Sequence, residues 1–312
     1  MRVLVTGVVG AVGSHVAEAL ARIGHEVIGI DAFTNYYDPA IKELTARELE
    51  AQGIRIVRSD LVTDDLSPHL SGVEAIYHFA AQPGISASTT FDEYLRNNII
   101  ATHRLVEAAR LVPSLSLFVH ISTSSVYGRE AVGDEETVPK PTSHYGVTKL
   151  AAEQLVLAAH RDRGLPATVL RLFSVYGERE RPEKLYHKLI RSALTKKPFT
   201  LYEGAREHRR SYTHVSDVVD ACLRVLSSRD VVCGEIFNIG TDETMTTGEG
   251  LAIIESLLGP IEYTLVPKRA GDQVETAANI TKARTLLGYA PKMSAREGLR
   301  REVEWCRRLL HK

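Results

Sequence analysis

A Rossmann-type, doubly wound parallel α/β sheet with a smaller C-terminal α/β lobe is the fold class this sequence predicts, on three observations. Short apolar, β-branched runs alternate with longer segments of helical period through the first half of the chain, the rhythm of βαβ units. Most of these runs are apolar without alternation, as strands covered on both faces are. The first of them leads straight into a glycine-spaced turn that opens a helix.

Taken in order, the expected strands are Val3–Thr6, Glu26–Ile30, Ile54–Arg58, Ala75–Phe79, Leu117–Ile121 and Thr168–Leu172. Between them lie the expected helices Val12–Ile23, Pro39–Gln52, Thr90–Leu111 and His144–Arg163. Right-handed crossovers place such helices on both sides of the sheet. After Phe173 the rhythm breaks into a Pro- and Arg-rich stretch, a helix Glu183–Thr195, a strand Phe199–Tyr202 and a charged loop Glu203–Arg210. Helix Ser216–Leu226 and strand Glu235–Ile239 then lead back toward the main sheet. The expected division is therefore a dinucleotide-binding part, residues 1–172, and a smaller lobe, residues 173–312, with about 214–240 as a return segment.

The 38 Lys+Arg residues balance 39 Asp+Glu, a net charge of −1, which excludes a diffuse basic surface for nucleic acid or membrane. Any bound anion must be held by local geometry, and Arg179, Arg181, Arg206, Arg209, Arg210, Lys268 and Arg269 form the one cationic concentration available for it. Three cysteines without a C-x-x-C pair, and no stretch of about 20 apolar residues, imply a reducing, cytoplasmic setting without an anchor. The 12 histidines show no H-x-x-x-H or H-E-x-x-H spacing, so no metal is expected.

The segment T-G-V-V-G-A-V-G, Thr6 to Gly13, carries the first functional pattern. Gly7 permits a tight turn, Gly10 lets backbone approach a pyrophosphate, and Gly13 lets helix and strand pack closely. The helix N-terminus then offers free N–H groups and a positive dipole end to the phosphates. Asp31, closing the second strand, is placed for an adenosine ribose 2′-hydroxyl and repels a 2′-phosphate, which selects NAD over NADP. Asp60, after the third strand, is placed near the adenine edge.

Y-G-V-T-K, Tyr145 to Lys149, opens an Ala-rich helix, so its four-residue spacing stacks phenol and ammonium on one face. A phenol of ordinary pKa, about 10, is a poor base near neutrality. The expectation is that the Lys149 ammonium and the positive nicotinamide ring bring Tyr145 down toward the working range. The strand ending in I-S-T-S-S-V-Y-G sets Thr123, Ser124 and Ser125 at the carboxyl edge of the sheet, where open α/β sheets bind ligands.

Together with H-F-A-A-Q at His78, N-I-I-A-T at Asn98, F-S-V-Y-G at Phe173, R-S-Y-T-H-V-S-D-V at Arg210 and R-A-G-D at Arg269, these motifs resemble the extended short-chain dehydrogenase/reductase family. Within it the resemblance is to the nucleotide-sugar epimerases, and it covers nearly the whole chain. It implies bound NAD, a UDP-sugar and transient oxidation at C4. Carried over residue by residue, it makes Tyr145 the base and Lys149 its electrostatic partner, with Thr123, Ser124 and Ser125 on the sugar 4-hydroxyl. Val12, Leu61, Phe79, Ala80, Ala81 and Asn98 would line the cofactor, Gln82 and Ser174 the substrate, and Arg210 and Arg269, with Asp272 assisting, the diphosphate or uridine ribose.

Related dehydratases carry Asp and Glu where this chain has Ser124 and Ser125, and related decarboxylases a Glu at the second place, so the resemblance favours simple inversion at C4. N-Y-Y-D-P-A-I-K at Asn35 and R-P-E-K-L-Y at Arg181 look like the UDP-glucuronate 4-epimerases, with Arg181 gripping the C6 carboxylate in a bidentate pair. UDP-galactose and UDP-N-acetylhexosamine epimerases, a decarboxylase or 4-ketoreductase, and a catalytically silent NAD sensor are the rival readings. Ser211 and Asn279, standing where Asp is usual, leave the base open among UDP, CDP and dTDP. Relatives pair through the helices here expected at 90–111 and 144–163, which implies a homodimer.

Overall fold

The computed structural model of the protein describes residues 1–86, 88–268 and 275–310. Its main sheet has seven parallel strands: β1 Arg2–Thr6, β2 Glu26–Asp31, β3 Arg55–Arg58, β4 Ala75–His78, β5 Leu117–Thr123, β6 Ala167–Leu172 and β7 Ile236–Ile239, in the order β7-β6-β5-β4-β1-β2-β3. The order reverses at β1, where Thr6 pairs with Ile30 on one side and His78 on the other. Connections leave β1 and β4 in opposite directions there, and a crevice opens at their carboxyl ends.

The continuous apolar runs have a direct cause in this arrangement. Side chains alternate along a strand, so in β1 Val3 and Val5 face one layer and Leu4 the other. Val3 and Val5 pack with Val16 and Leu20 of helix α1, Ala11–Arg22, while Leu4 packs with Leu105 of α3, Ala101–Ala109, and Val156 of α4, His144–Arg163. Helix α2, Pro39–Glu50, begins where Asp38 accepts the Ala40 N–H at 2.9 Å and Pro39 opens the first turn, a position that needs no N–H donor.

Beyond β6 a separate core is built by Leu189 and Ile190 of α5, Leu185–Thr195, Leu251 and Ile254 of α7, Thr247–Leu258, and Leu299 and Val303 of α8, Ala295–Leu310. Strand Phe199–Tyr202 pairs there with Tyr263–Val266, in parallel. Helix α6, Val215–Ser227, instead lays Val218, Cys222 and Val225 on the main sheet beside α1, and leads into β7, which pairs with β6.

Two elements depart from expectation. The helix expected over Thr90–Leu111 is an α-turn Phe91–Tyr94, a π-helical stretch Leu95–Ile100 and then α3. The wider π turn rotates Asn98 inward, a local device common at functional sites. The helix expected from Glu183 starts at Leu185, because Lys184 is extended and its N–H closes a turn on the Arg181 carbonyl at 3.0 Å.

Candidate active site

A cavity of about 390 Å³ lies over the carboxyl ends of β1, β2, β4 and β5. At one end stands the glycine turn. Gly7 has φ +67°, and a Cβ there would lie 2.7 Å from the Ala80 nitrogen, so only glycine lets this turn press on the strand beside it. Gly10 is the N-cap of α1 and carries no side-chain cap, and the first turn holds no acid, which leaves the N–H groups and positive dipole end to the cavity. Val12, Gly13, Leu61, Phe79, Ala80 and Ala81 complete this wall.

Asp31 ends β2 on the cavity and accepts the Phe33 N–H at 2.8 Å. Burial raises its carboxyl above the ordinary value, opposed by Lys42, whose ammonium lies 4.0 Å away. Lys42 is anchored in turn by the Thr34 carbonyl at 2.8 Å. Asp60 also lines the cavity and pairs with Arg96 at 2.6 Å. A side-chain-free turn, an uncapped helix end and a carboxylate at the tip of β2 fit a dinucleotide and its unphosphorylated ribose.

At the other end stand the reactive groups. Ser143 caps α4 by accepting the Gly146 N–H at 3.1 Å, which places Tyr145 and Lys149 on its opening turns. A Cβ on Gly146 would come within 2.6 Å of the Ser125 carbonyl, so glycine brings the helix start against the hydroxyl turn after β5. There Tyr145 lines the same wall as Thr123, whose Oγ1 accepts the Ser125 N–H at 3.1 Å. Ser124 and Ser125 line the same wall.

Burial raises Tyr145 above its ordinary value, and the groups that oppose the rise most are Thr123 and then the charge of Arg181. Burial also lowers Lys149 to about 8, against the pull of Glu153. In the protein alone the phenol is thus protonated at neutrality.

Arg181 projects into the cavity, pairs with Glu183 at 2.6 Å and lies 5.8 Å from the centre of the Tyr36 ring. Gln82 lines the cavity as well. Ser174 sits at φ +25°, a costly backbone for a residue with a Cβ, and lines both this cavity and a second one of about 310 Å³. Arg210 lines the second, with Tyr202, His208 and Tyr212.

Several expected residues sit elsewhere. Asn98 does not line the cavity; it lies behind it, accepting the Gln82 N–H at 2.7 Å and donating to Thr148 at 3.0 Å. The cationic concentration is less than it looked, because Arg179 turns away to pair with Glu18 at 2.8 Å and Glu48 at 3.0 Å. Arg206 lies over the Tyr263 ring at 4.8 Å, and Arg209 reaches Thr244 at 3.3 Å. Arg269 and Asp272 fall outside the described residues. The cavity also recruits Tyr36, Tyr37, Lys42, Arg96, Glu178, Glu180 and Lys184, which had no assigned role from sequence. Of these, Tyr36, Tyr37 and Lys42 lie in the N-Y-Y-D-P-A-I-K run and Lys184 in R-P-E-K-L-Y, the two motifs that pointed to the site, while Arg96, Glu178 and Glu180 carried no signal. Among the described residues no group of His, Cys, Asp and Glu could hold a metal ion.

A model described as the NAD dependent epimerase/dehydratase family matches residues 3–240. The chain is 38% identical over 311 residues, 98% of each chain, to a Bacillus subtilis protein described as an uncharacterized UDP-glucose epimerase. It is 34% identical to UDP-glucuronate 4-epimerase 1 of Arabidopsis thaliana, over 97% of this chain and 76% of that one. Among solved structures it is similar to UDP-glucuronic acid 4-epimerase from Bacillus cereus in complex with UDP-glucuronic acid and NAD, with a TM-score of 0.94 and 35% identity over 99% of this chain and 100% of the other.

Proposed function

The chain belongs to the NAD-dependent epimerase/dehydratase family, and on that premise we propose that it inverts C4 of a UDP-sugar through a 4-keto intermediate, converting UDP-glucuronate to UDP-galacturonate. The observation that carries the choice of sugar is Arg181, a guanidinium inside the catalytic cavity whose protein partner is itself a carboxylate, Glu183. A neutral hexose offers that group no opposite charge; the C6 carboxylate of a uronate does.

The cofactor is NAD, held by Gly7, Gly10, Val12, Gly13, Asp31, Asp60, Leu61, Phe79, Ala80 and Ala81. When bound it accepts the electron pair of the C4–H bond and returns it to the opposite face. With the positive charge of bound NAD⁺ beside it, Tyr145 would give up its own proton and, as the phenolate, take that of the 4-hydroxyl and later give it back. Thr123, on the same wall, orients that hydroxyl, with Ser124 and Ser125 beside it. Lys149 keeps a positive charge beneath the reacting end below pH of about 8. The charge of Arg181 opposes the burial of Tyr145, so the residue that holds the carboxylate also favours the phenolate. Asn98 acts through the backbone of Gln82 rather than on a ligand. The second cavity, with Arg210, receives the diphosphate or uridine ribose; Arg269 and Asp272 are proposed to share that role. Residues 1–172 thus serve the cofactor and 173–312 the sugar nucleotide, with the chemistry at their seam.

We also propose that the protein works in the cytoplasm as a homodimer, joined through helices at 90–111 and 144–163. Exposed Phe91, Ile100 and Val147 on these segments support that reading.

Proton NMR of the purified protein with UDP-glucuronate and no added NAD tests the proposal. UDP-galacturonate is the expected product. Turnover of UDP-glucose with none of UDP-glucuronate would move the assignment to a neutral-sugar epimerase.

A further inference from the structure

Glu153 lies one turn beyond Lys149 on α4, fully buried and behind the cavity wall. A carboxylate in such a place must be paired and hydrogen-bonded, and both oxygens are used. Arg171 of β6 donates from Nη2 to Oε1 at 2.6 Å and from Nε to Oε2 at 3.1 Å, and the Ser122 hydroxyl donates to Oε2 at 2.8 Å. Arg171, 2% exposed, is held from its far side by the Tyr127 hydroxyl at 2.8 Å and the Glu135 carbonyl at 3.3 Å. Tyr127 donates in turn to Asn238 of β7 at 2.8 Å.

Two consequences meet at the reacting groups. Ser122 immediately precedes Thr123 in β5, so a bond that fixes Ser122 on one face fixes the direction of Thr123 on the other. Lys149 is surrounded by groups that do not help it. Besides Tyr145 on its own helix, it faces His78 of β4 and His120 of β5, both kept neutral by burial and by the charge of Lys149 itself. Glu153 is the group that favours the ammonium.

We propose that Glu153, bridged to Ser122 and Arg171, is a positioning residue for the epimerase reaction: it keeps Lys149 charged in a buried place and sets the angle at which Thr123 meets the sugar hydroxyl. Charge on Lys149 is present below its pKa and lost as pH rises through it, so the alkaline limb of kcat/KM reports it.

The test is the pH profile of the NAD-loaded protein on UDP-glucuronate. The alkaline limb of the native protein is expected near pH of about 8. Glu153→Gln should move that limb down by about one pH unit or more. Glu153→Asp, which keeps the charge, should leave the limb in place while kcat falls. Ser122→Ala should also leave the limb in place but raise KM by roughly three- to tenfold, the loss of one buried hydrogen bond. An unmoved limb in Glu153→Gln, with activity reduced equally at every pH, would overturn the proposal. So would a native KM in Ser122→Ala. Where Glu153→Gln yields no folded protein, a limb shifted in Glu153→Asp would do the same. If the protein prefers a neutral sugar, the same profiles on UDP-glucose keep this inference separate from the choice of substrate.

Discussion

A buried phenol is a weak base, and Tyr145 becomes a useful one only through the charges around it. Burial raises it, and Thr123 and Arg181 oppose that rise. Replacing Tyr145 with Phe removes the proton acceptor while keeping the shape, so steady-state kcat should fall by about 10²–10⁴-fold with retained NAD content. Arg181→Ala should raise KM for UDP-glucuronate by roughly 10- to 100-fold, the worth of a desolvated charge pair, and leave the KM for a neutral UDP-hexose unchanged, while kcat falls on either sugar because Tyr145 loses a charge that favours its phenolate. Arg181→Lys should not restore it, because an ammonium lacks the planar fork. At this scale the sequence was legible where a motif is local, as with Tyr145 and Lys149, four residues apart on one helix. It pointed to Arg181 and to the run that holds Tyr36, but not to their meeting, which depends on distant segments folding together. It also misplaced Arg179, because nothing in the chain says that Glu18 and Glu48 will be waiting for it.

Elements place these side chains, and their start points matter more than their lengths. Helix α4 begins at the residue that its Ser143 cap dictates and ends at Gly164, whose φ of +69° closes it. Both signals are visible in the chain, so His144–Arg163 was read with its bounds intact. The π-helical stretch Leu95–Ile100 was not, since one wider turn barely alters an apolar pattern of helical period. Gly146 carries a close approach between elements at the reacting end of the site. A methyl there meets the Ser125 carbonyl, so Gly146→Ala should destabilise the protein by about 1–3 kcal/mol, read as a lowered Tm, and should depress kcat by widening the Tyr145 to Thr123 distance.

The whole molecule joins a parallel sheet to a smaller lobe, and Ser174 lines both cavities at a strained φ of +25°. The parallel sheet was legible because both of its faces are covered, which makes the strand runs continuously apolar. The second cavity was less so, since it brings together Tyr202 at the end of one strand, His208 and Arg210 on the segment after it, and Thr247 at the start of α7. No helix among the described residues is long and apolar enough to cross a membrane. The dimer proposal is tested by sedimentation: the native protein should run as a dimer, and Phe91→Glu with Val147→Glu should shift it toward monomer.

The central claim is that C4 is oxidised and reduced within one binding event, on NAD that never leaves. UDP-glucuronate carrying deuterium at C4, incubated with the protein in the presence of excess unlabelled free NADH, tests it most directly. The account predicts that UDP-galacturonate retains the deuterium at C4 through equilibrium. Product carrying protium at C4 would contradict it and identify a reductase exchanging its cofactor with solution.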